Sequence, residues 1–342
     1  MKEYDISIII PIYNNEKFLK RSINSVVNQT FDFNRIELIL VDDNSSDNSK
    51  RIMEEFNSEY ENVKCIYRNE NSGTPCTPRN DGIDNAQGEF LMFIDADDTY
   101  DERMCEILYN KIIDTDKNIV CCQYNNVKFG KKINREKLFT DDELEINPLN
   151  DELLLKNGQY WWMPWDKIYR KSFIDKINAR FPPDTLAEDV IFVVQCLLND
   201  SKILYLTNYY GYNWNILNEG DNASLSHVYS ENTFLRFKLG YYILYDLVKG
   251  KIESKYFDIL FEQCIRSLYS TFCLLDNCSA NRKVELLEEL YTFITSLELA
   301  KIQFSAKWAY SFNYLLLKRK FRILIIQARI MGMVWNKLIN NQ

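Results

Sequence analysis

Apolar runs alternate with amphipathic stretches over the first hundred residues of the chain. The runs are predominantly apolar, and the last of them is continuously so, as is typical of a strand covered on both faces of a sheet. They lie at 6–12, 37–41, 63–67 and 90–94. Apolar residues at three- and four-residue spacing predict helices between them, which include 18–27, 52–56 and 79–86. Strands and helices that alternate at this spacing form βαβ units, so we predict an α/β fold with a mostly parallel sheet.

Polar clusters follow the first, second and fourth of these predicted strands. They are Tyr13-Asn14, Asp42-Asp43 and Asp95-Ala96-Asp97. Because the carboxyl ends of parallel strands meet at one edge of a sheet, the three clusters are expected to converge there. Open α/β sheets bind their ligands at that edge. The convergence therefore predicts a ligand site.

The third cluster, with Asp98 beside it, contains three carboxylates within four residues. Acids spaced in this way can hold a hard divalent cation, which in turn neutralises a diphosphate. The alternative is that Asp97 or Asp98 caps the next helix, which is predicted to begin near Asp101. Capping requires only one of the three acids, so a metal or phosphate role for the cluster is the preferred interpretation.

The pattern is more mixed from residue 104 to residue 228. We predict strands at 118–124 and 209–214, a polar loop at 129–150 and an apolar helix from Glu188 to Leu198. The helix macrodipole favours acids in a first turn, which is an alternative explanation for Glu188 and Asp189. Beyond residue 229, recurrent apolar residues at helical spacing predict helices to the end of the sequence.

Charge and cysteine usage restrict the function classes. The net charge of −8 argues against a nucleic-acid-binding protein. Nine cysteines without a Cys-x-x-Cys pair fit a reducing cytoplasm, and a single histidine excludes histidine-based zinc sites. No glycine-rich dinucleotide motif or P-loop is present. Neither a signal peptide nor an apolar run long enough to span a membrane is apparent, so we expect a cytoplasmic location.

The segment from residue 301 to residue 342 differs in charge from the rest of the chain. It contains eight Lys or Arg residues and no Asp or Glu. Within it, the basic cluster at 318–322 is followed by Leu, Ile, Met and Trp residues, a composition that suits a surface helix on an anionic membrane. The alternative is an ordinary helix that packs on the core and exposes a basic face to solvent. Membrane contact would make the protein peripheral on the cytoplasmic face.

Three of these segments together resemble a known family. SIIIPIYN at 7–14, VDDNSSD at 41–47 and FIDADD at 93–98 are similar, in sequence and in order, to motifs of family 2 glycosyltransferases with the GT-A fold. NSG at 71–73, PRN at 78–80, MPWDKIYR at 163–170 and LAED at 186–189 resemble bacterial enzymes that decorate wall teichoic acids and capsules. The resemblance covers about residues 5–226 and implies a nucleotide-sugar-binding half at 1–104 and an acceptor-binding half at 105–228. The helical region at 229–342 is predicted from its periodicity and contains no matching motif.

The resemblance also implies roles for individual residues on the donor side. The nucleotide-sugar-binding set is Pro11, Tyr13, Asn14, Asp42, Asp43, Arg79, Asp95 and Ala96. Pro11 and Tyr13 would flank a uracil ring, and Asp43 would accept a hydrogen bond from the base. Asp42 would hold the turn or contact the ribose, which Asp95 would also contact. Arg79 would bind the diphosphate or order the carboxylates of the metal site.

The same resemblance implies a metal site and a general base. Asp97 would bind Mn²⁺ or Mg²⁺ between the two phosphates. Asp189 would remove the proton of the acceptor hydroxyl, and Glu188 would orient the acceptor or tune Asp189. Some relatives complete the metal shell with a histidine after the aromatic strand. Asn222 takes that place here, which makes His227, five residues later, a candidate metal ligand.

The sequence therefore predicts an inverting, metal-dependent hexosyl- or N-acetylhexosaminyltransferase. Its donor would be a uridine diphosphate sugar, and its acceptor a surface polysaccharide, a lipid-linked oligosaccharide or a teichoic-acid-like polymer. The alternative is an inactive module of the same fold that binds nucleotide or glycan. A sugar nucleotidyltransferase is disfavoured, because it needs a glycine-rich basic loop after the first strand. For the region from 229 onward, acceptor binding, self-association into a homo-oligomer and membrane docking stay open.

Overall fold

The computed structural model describes residues 4–128, 130–133, 139–156, 162–200, 202–216, 229–275 and 278–339. The chain divides into two compact units. The first unit comprises 1–149 and 157–221, and the second comprises 150–156 and 222–342. The short segment 150–156 therefore belongs with the helices of the second unit, although it lies inside the first unit in sequence.

The first unit is built on four parallel strands in the spatial order β3-β2-β1-β4. Their bounds are β1 Ile6–Ile12, β2 Ile36–Asp42, β3 Val63–Tyr67 and β4 Phe90–Phe93. Almost every residue of β1, β2 and β4 is buried, which explains why each appears in the sequence as an apolar run. All four predicted strands are confirmed, as is their parallel arrangement.

Four helices accompany these strands. They are α1 Leu19–Val27, α2 Ser49–Glu59, α3 Cys76–Asn85 and α4 Met104–Ile113. Helix α1 buries Leu19, Ile23 and Val26, which share one face at helical spacing. Helix α3 begins three residues earlier than predicted. Pro78 does not prevent this, because the amide groups of a first helical turn have no intrahelical acceptor.

Six further strands extend the sheet beyond β4, in the order β4-β9-β6-β10-β5, with β7 on β6 and β8 on β10. Their bounds are β5 Thr99–Tyr100, β6 Ile119–Lys128, β7 Lys131–Ile133, β8 Glu143–Ile146, β9 Lys167–Arg170 and β10 Ile203–Ile216. Strand β9 runs antiparallel to both β4 and β6, whereas β6 and β10 are parallel. Two helices complete the unit, α6 Lys171–Ile177 and α7 Glu188–Asn199.

The prediction of a loop at 129–150 is wrong for the residues that the structure describes. Strands β7 and β8 lie there, and β8 pairs antiparallel with β10. Both are short and charged, and all positions of β7 and alternate positions of β8 are exposed, so no apolar run marks them. Their conformation comes from the hydrogen-bonding edge of a neighbouring strand, which local sequence does not report.

The second unit is helical, as predicted. Its helices are α5 Glu152–Lys156, α8 Glu231–Val248, α9 Ser254–Cys273, α10 Ala280–Ser296, α11 Lys307–Leu317 and α12 Phe321–Ile339. Side chains cap two of them, because Ser230 and Ser279 each accept a hydrogen bond from the backbone amide three residues later. Within the described part of the chain, no helix is both long enough and apolar enough to cross a membrane.

Candidate active site

The carboxyl ends of β1, β2 and β4 meet at one edge of the sheet. Ile12 pairs with Asp42, and the amide of Asp43 donates to the carbonyl of Ile12 at 2.8 Å. On the other side of β1, the amide of Ile94 donates to Ile9 at 3.1 Å. The three polar clusters therefore follow strands that are immediate neighbours. Tyr13 stands at this edge with its side chain 51% exposed, which leaves its ring available to a flat ligand.

Asp42 and Asp43, at the end of β2, make different contacts. Asp42 is fully buried, and its carboxylate accepts hydrogen bonds from the amide of Ser45 at 3.1 and 3.2 Å, so it holds the turn. Asp43 is also buried and accepts from the amide and the hydroxyl of Ser72, both at 2.9 Å. Its other oxygen lies 3.0 Å from Nε of Arg68. The carboxylate of Asp43 thus joins the second strand end to the loop before α3.

Asn14 fixes the turn after β1 against the turn after β2. Its backbone has a φ of 48°, in the left-handed region that asparagine tolerates better than most residues. Its side-chain oxygen accepts from the amide of Ser46 at 2.8 Å, and its own amide donates to the hydroxyl of Ser45 at 2.9 Å. These contacts hold the backbone next to Tyr13 in place.

Asp98 points inward from the acidic cluster. Its two oxygens accept from the hydroxyl of Tyr212 at 2.7 Å and from the amide of Asn215 at 2.6 Å. Burial and the neighbouring negative charges of Asp97 and Asp95 raise its pKa well above the usual range. The alternative that Asp97 or Asp98 caps the next helix is wrong, since α4 begins only at Met104 and has no side-chain cap.

Asp97 has a different environment from Asp98. Its backbone carbonyl accepts from Arg21 at 2.7 Å and from the side chain of Asn215 at 3.0 Å. Its carboxylate makes no hydrogen bond or ion pair with any other residue that the structure describes. Burial and the negative charge of Asp95 raise the pKa of Asp97 to about 6. A bound cation would stabilise the ionised form of a carboxylate whose pKa is raised in this way.

The donor set at this loop is suited to a hard cation, because it consists of carboxylate oxygens. The described residues contain no group of three or more His, Cys, Asp or Glu side chains arranged around one point. Any cation would therefore be held by Asp97 with Asp95 and by groups from the substrate. The candidate ligand His227 lies outside the described residues, together with Asn222.

Arg79 connects the acidic cluster to α7. Its guanidinium, on α3, is 2% exposed and donates to Asp95 at 2.8 Å and to Asp189 at 2.5 Å. Glu188 lies 3.8 Å from the same nitrogen that binds Asp189. The ring of Phe181 packs against the guanidinium with its centre 5.1 Å from the central carbon. One planar cation therefore faces three carboxylates from two different parts of the chain, and its two terminal nitrogens bind different carboxylates.

The two acids at the start of α7 are held in a low-polarity setting. Burial and the charge of Asp189 raise the pKa of Glu188 to about 8. Burial also raises the pKa of Asp189, although the Arg79 guanidinium opposes that shift. Asp189 is the more exposed of the two, with 24% of its side chain accessible against 11% for Glu188. It is therefore the more accessible of the two acids to a substrate.

The raised pKa of Glu188 predicts a pH-dependent stability. The folded protein binds a proton at Glu188 more tightly than the unfolded chain, whose carboxyl has the ordinary pKa of 4.5. This contribution to stability is complete below about pH 4.5 and is lost as pH rises through about 8. We expect Glu188→Gln to be more stable than the parent at pH 8, with the difference shrinking toward pH 5. Urea unfolding across this range measures it.

Glu285→Gln is the matched control, because Glu285 is an exposed acid paired with Arg282 in the second unit. Its stability difference from the parent should stay nearly constant between pH 5 and pH 8. A Glu188→Gln profile parallel to that of the control would contradict the assignment of a raised pKa to Glu188.

A family model described as glycosyl transferase family 2 matches residues 7–182, just over half of the chain. The matched span includes the ends of β1, β2 and β4 and the Arg79 helix. The chain belongs to glycosyl transferase family 2.

Two relatives of this family 2 chain have names that state an activity. A poly(ribitol-phosphate) beta-glucosyltransferase of Bacillus spizizenii is 30% identical over 230 residues, which cover 67% of this chain and 35% of the relative. A cholesterol galactosyltransferase of Borreliella burgdorferi is 31% identical over 220 residues, 61% of this chain and 59% of the relative. The chain thus spans between about a third and three fifths of their lengths.

The fold has a solved counterpart. The crystal structure of residues 1–349 of Staphylococcus aureus TarS in complex with UDP-GlcNAc matches the family 2 chain with a TM-score of 0.72 at 22% identity. The match covers 97% of this chain and 92% of that one. It confirms the predicted GT-A fold.

The structure adds residues to the site that the sequence of this family 2 chain did not single out. The hydroxyl of Tyr212, on β10, donates a hydrogen bond to Asp98 and accepts one from the backbone amide of Asp95 at 3.2 Å. The ring of Trp165 stacks on Tyr212 with centres 3.9 Å apart. A run of aromatic residues around Tyr212 is visible in the sequence, but nothing local indicates that it meets the acidic cluster.

Lys167 is a second residue that the sequence did not single out. It is 1% exposed and donates to the carbonyl of Met163 at 2.6 Å and to Asp166 at 2.5 Å. Lys167 is the first residue of β9, which pairs with β6, and Asp166 directly precedes it. Because a buried ammonium group is stable only when its protons are paired, Asp166 and Lys167 depend on each other.

Proposed function

We propose that the chain is an inverting glycosyltransferase that moves a sugar from a uridine diphosphate donor to a hydroxyl group of a polyol-phosphate or related surface polymer. The observation that carries this proposal is the buried Arg79, which binds Asp95 on one side and Asp189 on the other. A donor-side acid and an acceptor-side acid are thereby held in contact with one guanidinium. Family 2 membership and the names of the two relatives support the same reaction class.

The donor nucleotide would lie at the edge formed by β1, β2 and β4. The exposed ring of Tyr13, with Pro11 before it, offers a stacking surface for a uracil. Asp43, already fixed by Ser72 and Arg68, would accept a hydrogen bond from the base. Asp95 would contact the ribose, next to the buried Ala96. The named solved neighbour was crystallised with UDP-GlcNAc, which makes that nucleotide the first to test.

Asp97 and Asp95 would hold a divalent cation, Mn²⁺ or Mg²⁺, at the diphosphate. Burial and the negative charge of Asp95 raise the pKa of Asp97 to about 6, so a cation there would stabilise the ionised carboxylate. When bound, such a cation neutralises the charge that develops on the departing nucleoside diphosphate. Arg79 would contribute positive charge on the same side and keep Asp95 in position.

Asp189 would act as the general base. Its carboxylate takes the proton of the acceptor hydroxyl while the hydroxyl oxygen forms a bond to the anomeric carbon. The bond from that carbon to the phosphate oxygen breaks, and its electron pair leaves with the diphosphate. Attack opposite to the leaving group inverts the anomeric configuration. Burial and the charge of Asp189 raise the pKa of Glu188, so Glu188 would tune Asp189 or, in its protonated form, donate a hydrogen bond that orients the acceptor.

The acceptor class is proposed from the relatives. One is named for poly(ribitol phosphate) and the other for cholesterol, so relatives at about 30% identity act on acceptors of different chemistry. A polyol-phosphate polymer is the first candidate, and surface polysaccharides and lipid-linked oligosaccharides follow it. All nine cysteines are free thiols, which supports a reducing location such as the cytoplasm.

A donor panel followed by a transfer assay tests the proposal. Thermal unfolding is measured with UDP-glucose, UDP-GlcNAc, UDP-galactose, GDP-mannose and CDP-ribitol, each with and without Mn²⁺. We expect a UDP sugar to raise the melting temperature most, and only with the metal present. The best donor is then incubated with poly(ribitol phosphate), and UDP release and sugar incorporation are measured. Stabilisation by a UDP sugar without hydrolysis or transfer to any acceptor would indicate an inactive binding module instead.

A further inference from the structure

Helix α12 carries a continuous apolar surface that nothing in the described chain covers. Five of its apolar side chains are exposed by half or more, and we call them the apolar stripe: Ile323, Ile326, Ile330, Met333 and Val334. Their spacing of three, four, three and one residues places them on one helical face, about 16 Å long. Leu324, Ile325 and Ala328 of the same helix are buried, so α12 already packs on its own unit through a different face.

The stripe continues onto the neighbouring helix. Trp308 of α11 lines a shallow groove with Ile323, Ile326, Ile330 and Met331 of α12. Trp308 also packs edge-on against Trp335 of α12, with ring centres 5.0 Å apart. A large amphipathic ring at the border of an apolar surface is a common arrangement where protein meets the headgroup layer of a membrane.

Two arginines define one border of the stripe. Arg322 and Arg329 are exposed, lie seven residues apart and so fall on the same side of α12, next to the apolar face. Neither forms an ion pair with a described residue. Lys318 and Lys320, just before the helix, are exposed as well, whereas Arg319 is engaged by Glu288. The helix therefore presents an apolar face with a basic border.

Charge decides which occupant fits this surface. Residues 301–342 contain eight basic and no acidic residues, although the whole chain is acidic. Two copies that paired through the stripe around a two-fold axis would bring identical basic segments face to face. The segment contains no carboxylate that could form ion pairs with those basic side chains. An anionic lipid layer instead supplies both an apolar phase for the stripe and negative headgroups for the arginines.

We propose that the apolar stripe and its basic border dock the second unit on an anionic lipid surface. The helix would lie in the plane of the interface, with the five apolar side chains among the acyl chains and Arg322 and Arg329 at the phosphate level. Such an attachment is peripheral, in keeping with the absence of a membrane-spanning helix from the described residues. It would bring the chain to a membrane without any contribution from the donor site.

Co-sedimentation of the full chain with vesicles tests this proposal. We expect strong pelleting with vesicles that contain phosphatidylglycerol and weak pelleting with phosphatidylcholine alone, and we expect high salt to weaken the former. Arg322→Gln with Arg329→Gln should lower the affinity for the anionic vesicles about 30-fold. Ile326→Ser with Ile330→Ser should lower it about tenfold or more. Because all four side chains are exposed, thermal unfolding of both variants should match the parent.

Lys202→Gln with Lys251→Gln is the control for the loss of two positive charges. Both lysines are exposed and lie outside the basic segment, so vesicle binding should be unchanged. Equal pelleting of the parent with and without phosphatidylglycerol would overturn the proposal. So would light scattering that shows an oligomer dissociated by the Ile326→Ser and Ile330→Ser pair, because the stripe would then be covered by a second copy. UDP release from the donor is also measured on the same variants without vesicles. This measurement separates a loss of vesicle binding from a failure of the proposed activity.

Discussion

Replacing Asp189 with asparagine is expected to lower sugar transfer by about a hundred- to ten-thousand-fold while nucleotide binding persists. The amide has nearly the shape of the carboxylate but cannot accept the proton of the acceptor hydroxyl. Asp189 is the more accessible acid of the α7 pair, and Arg79 remains bound to Asp95 when the charge at 189 is removed. The nucleotide edge should therefore keep its structure.

Three measurements check this expectation. Transfer is followed by sugar incorporation, donor binding by the thermal shift with a UDP sugar and Mn²⁺, and folding by urea denaturation. Asp175→Asn is the matched control, since Asp175 pairs with Lys171 on the surface of α6, and this variant should retain full transfer. Retention of full transfer by Asp189→Asn would remove Asp189 as the base. Loss of donor binding together with transfer would show that Asp189 acts through the donor site instead.

Replacing Arg79 with methionine is expected to cost about 3–5 kcal/mol of unfolding free energy and to abolish transfer. The guanidinium is buried and faces Asp95, Asp189 and Glu188. Without it, three carboxylates share a confined region with no cation, and they can avoid ionisation only by binding protons. The destabilisation should therefore shrink as pH falls toward 5.

Two further variants separate charge from geometry at Arg79. Arg79→Lys keeps the charge but loses the planar fork, so it should recover part of the stability and little of the transfer. Glu188→Gln added to Arg79→Met removes one of the unpaired acids and should restore some stability, a non-additive effect visible in a double-mutant cycle. Arg51→Met is the control, because Arg51 is a surface residue near Glu55 and its loss should cost less than about 1 kcal/mol. Equal losses of unfolding free energy in Arg79→Met and Arg51→Met would contradict the role given to Arg79.

The parts of the fold that the sequence predicts are those encoded locally. Strands β1, β2 and β4 are buried on both faces, so each appears as an apolar run between helical stretches. Strand β9 does not, because Lys167 and Arg170 stand at its ends and its identity depends on lying between β4 and β6. A buried lysine in a central strand is acceptable only because Asp166 and the carbonyl of Met163 accept hydrogen bonds from its ammonium group. That pairing cannot be recognised without the neighbouring strands.

In the candidate site, too, only the locally encoded features were predictable from the sequence. Clusters that follow strands were predictable, because parallel strands end at a common edge. The differences among the three acids of the 95–98 loop were not. Asp98 is distinguished from Asp97 by Tyr212 and Asn215, more than a hundred residues later in the chain. Contacts at that sequence separation depend on the complete sheet.

The hydrogen bond between Tyr212 and Asp98 also bears on synthesis of the protein. The two residues are separated by 114 positions, so a ribosome that adds about 5–20 residues per second exposes Tyr212 roughly 6–23 s after Asp98. During that interval the nascent chain has completed β1 to β4 but lacks Tyr212, which is a partner of Asp98. The edge at which we propose that the nucleotide binds is therefore complete only late in translation. The ordering of the acidic loop is a late event in biogenesis.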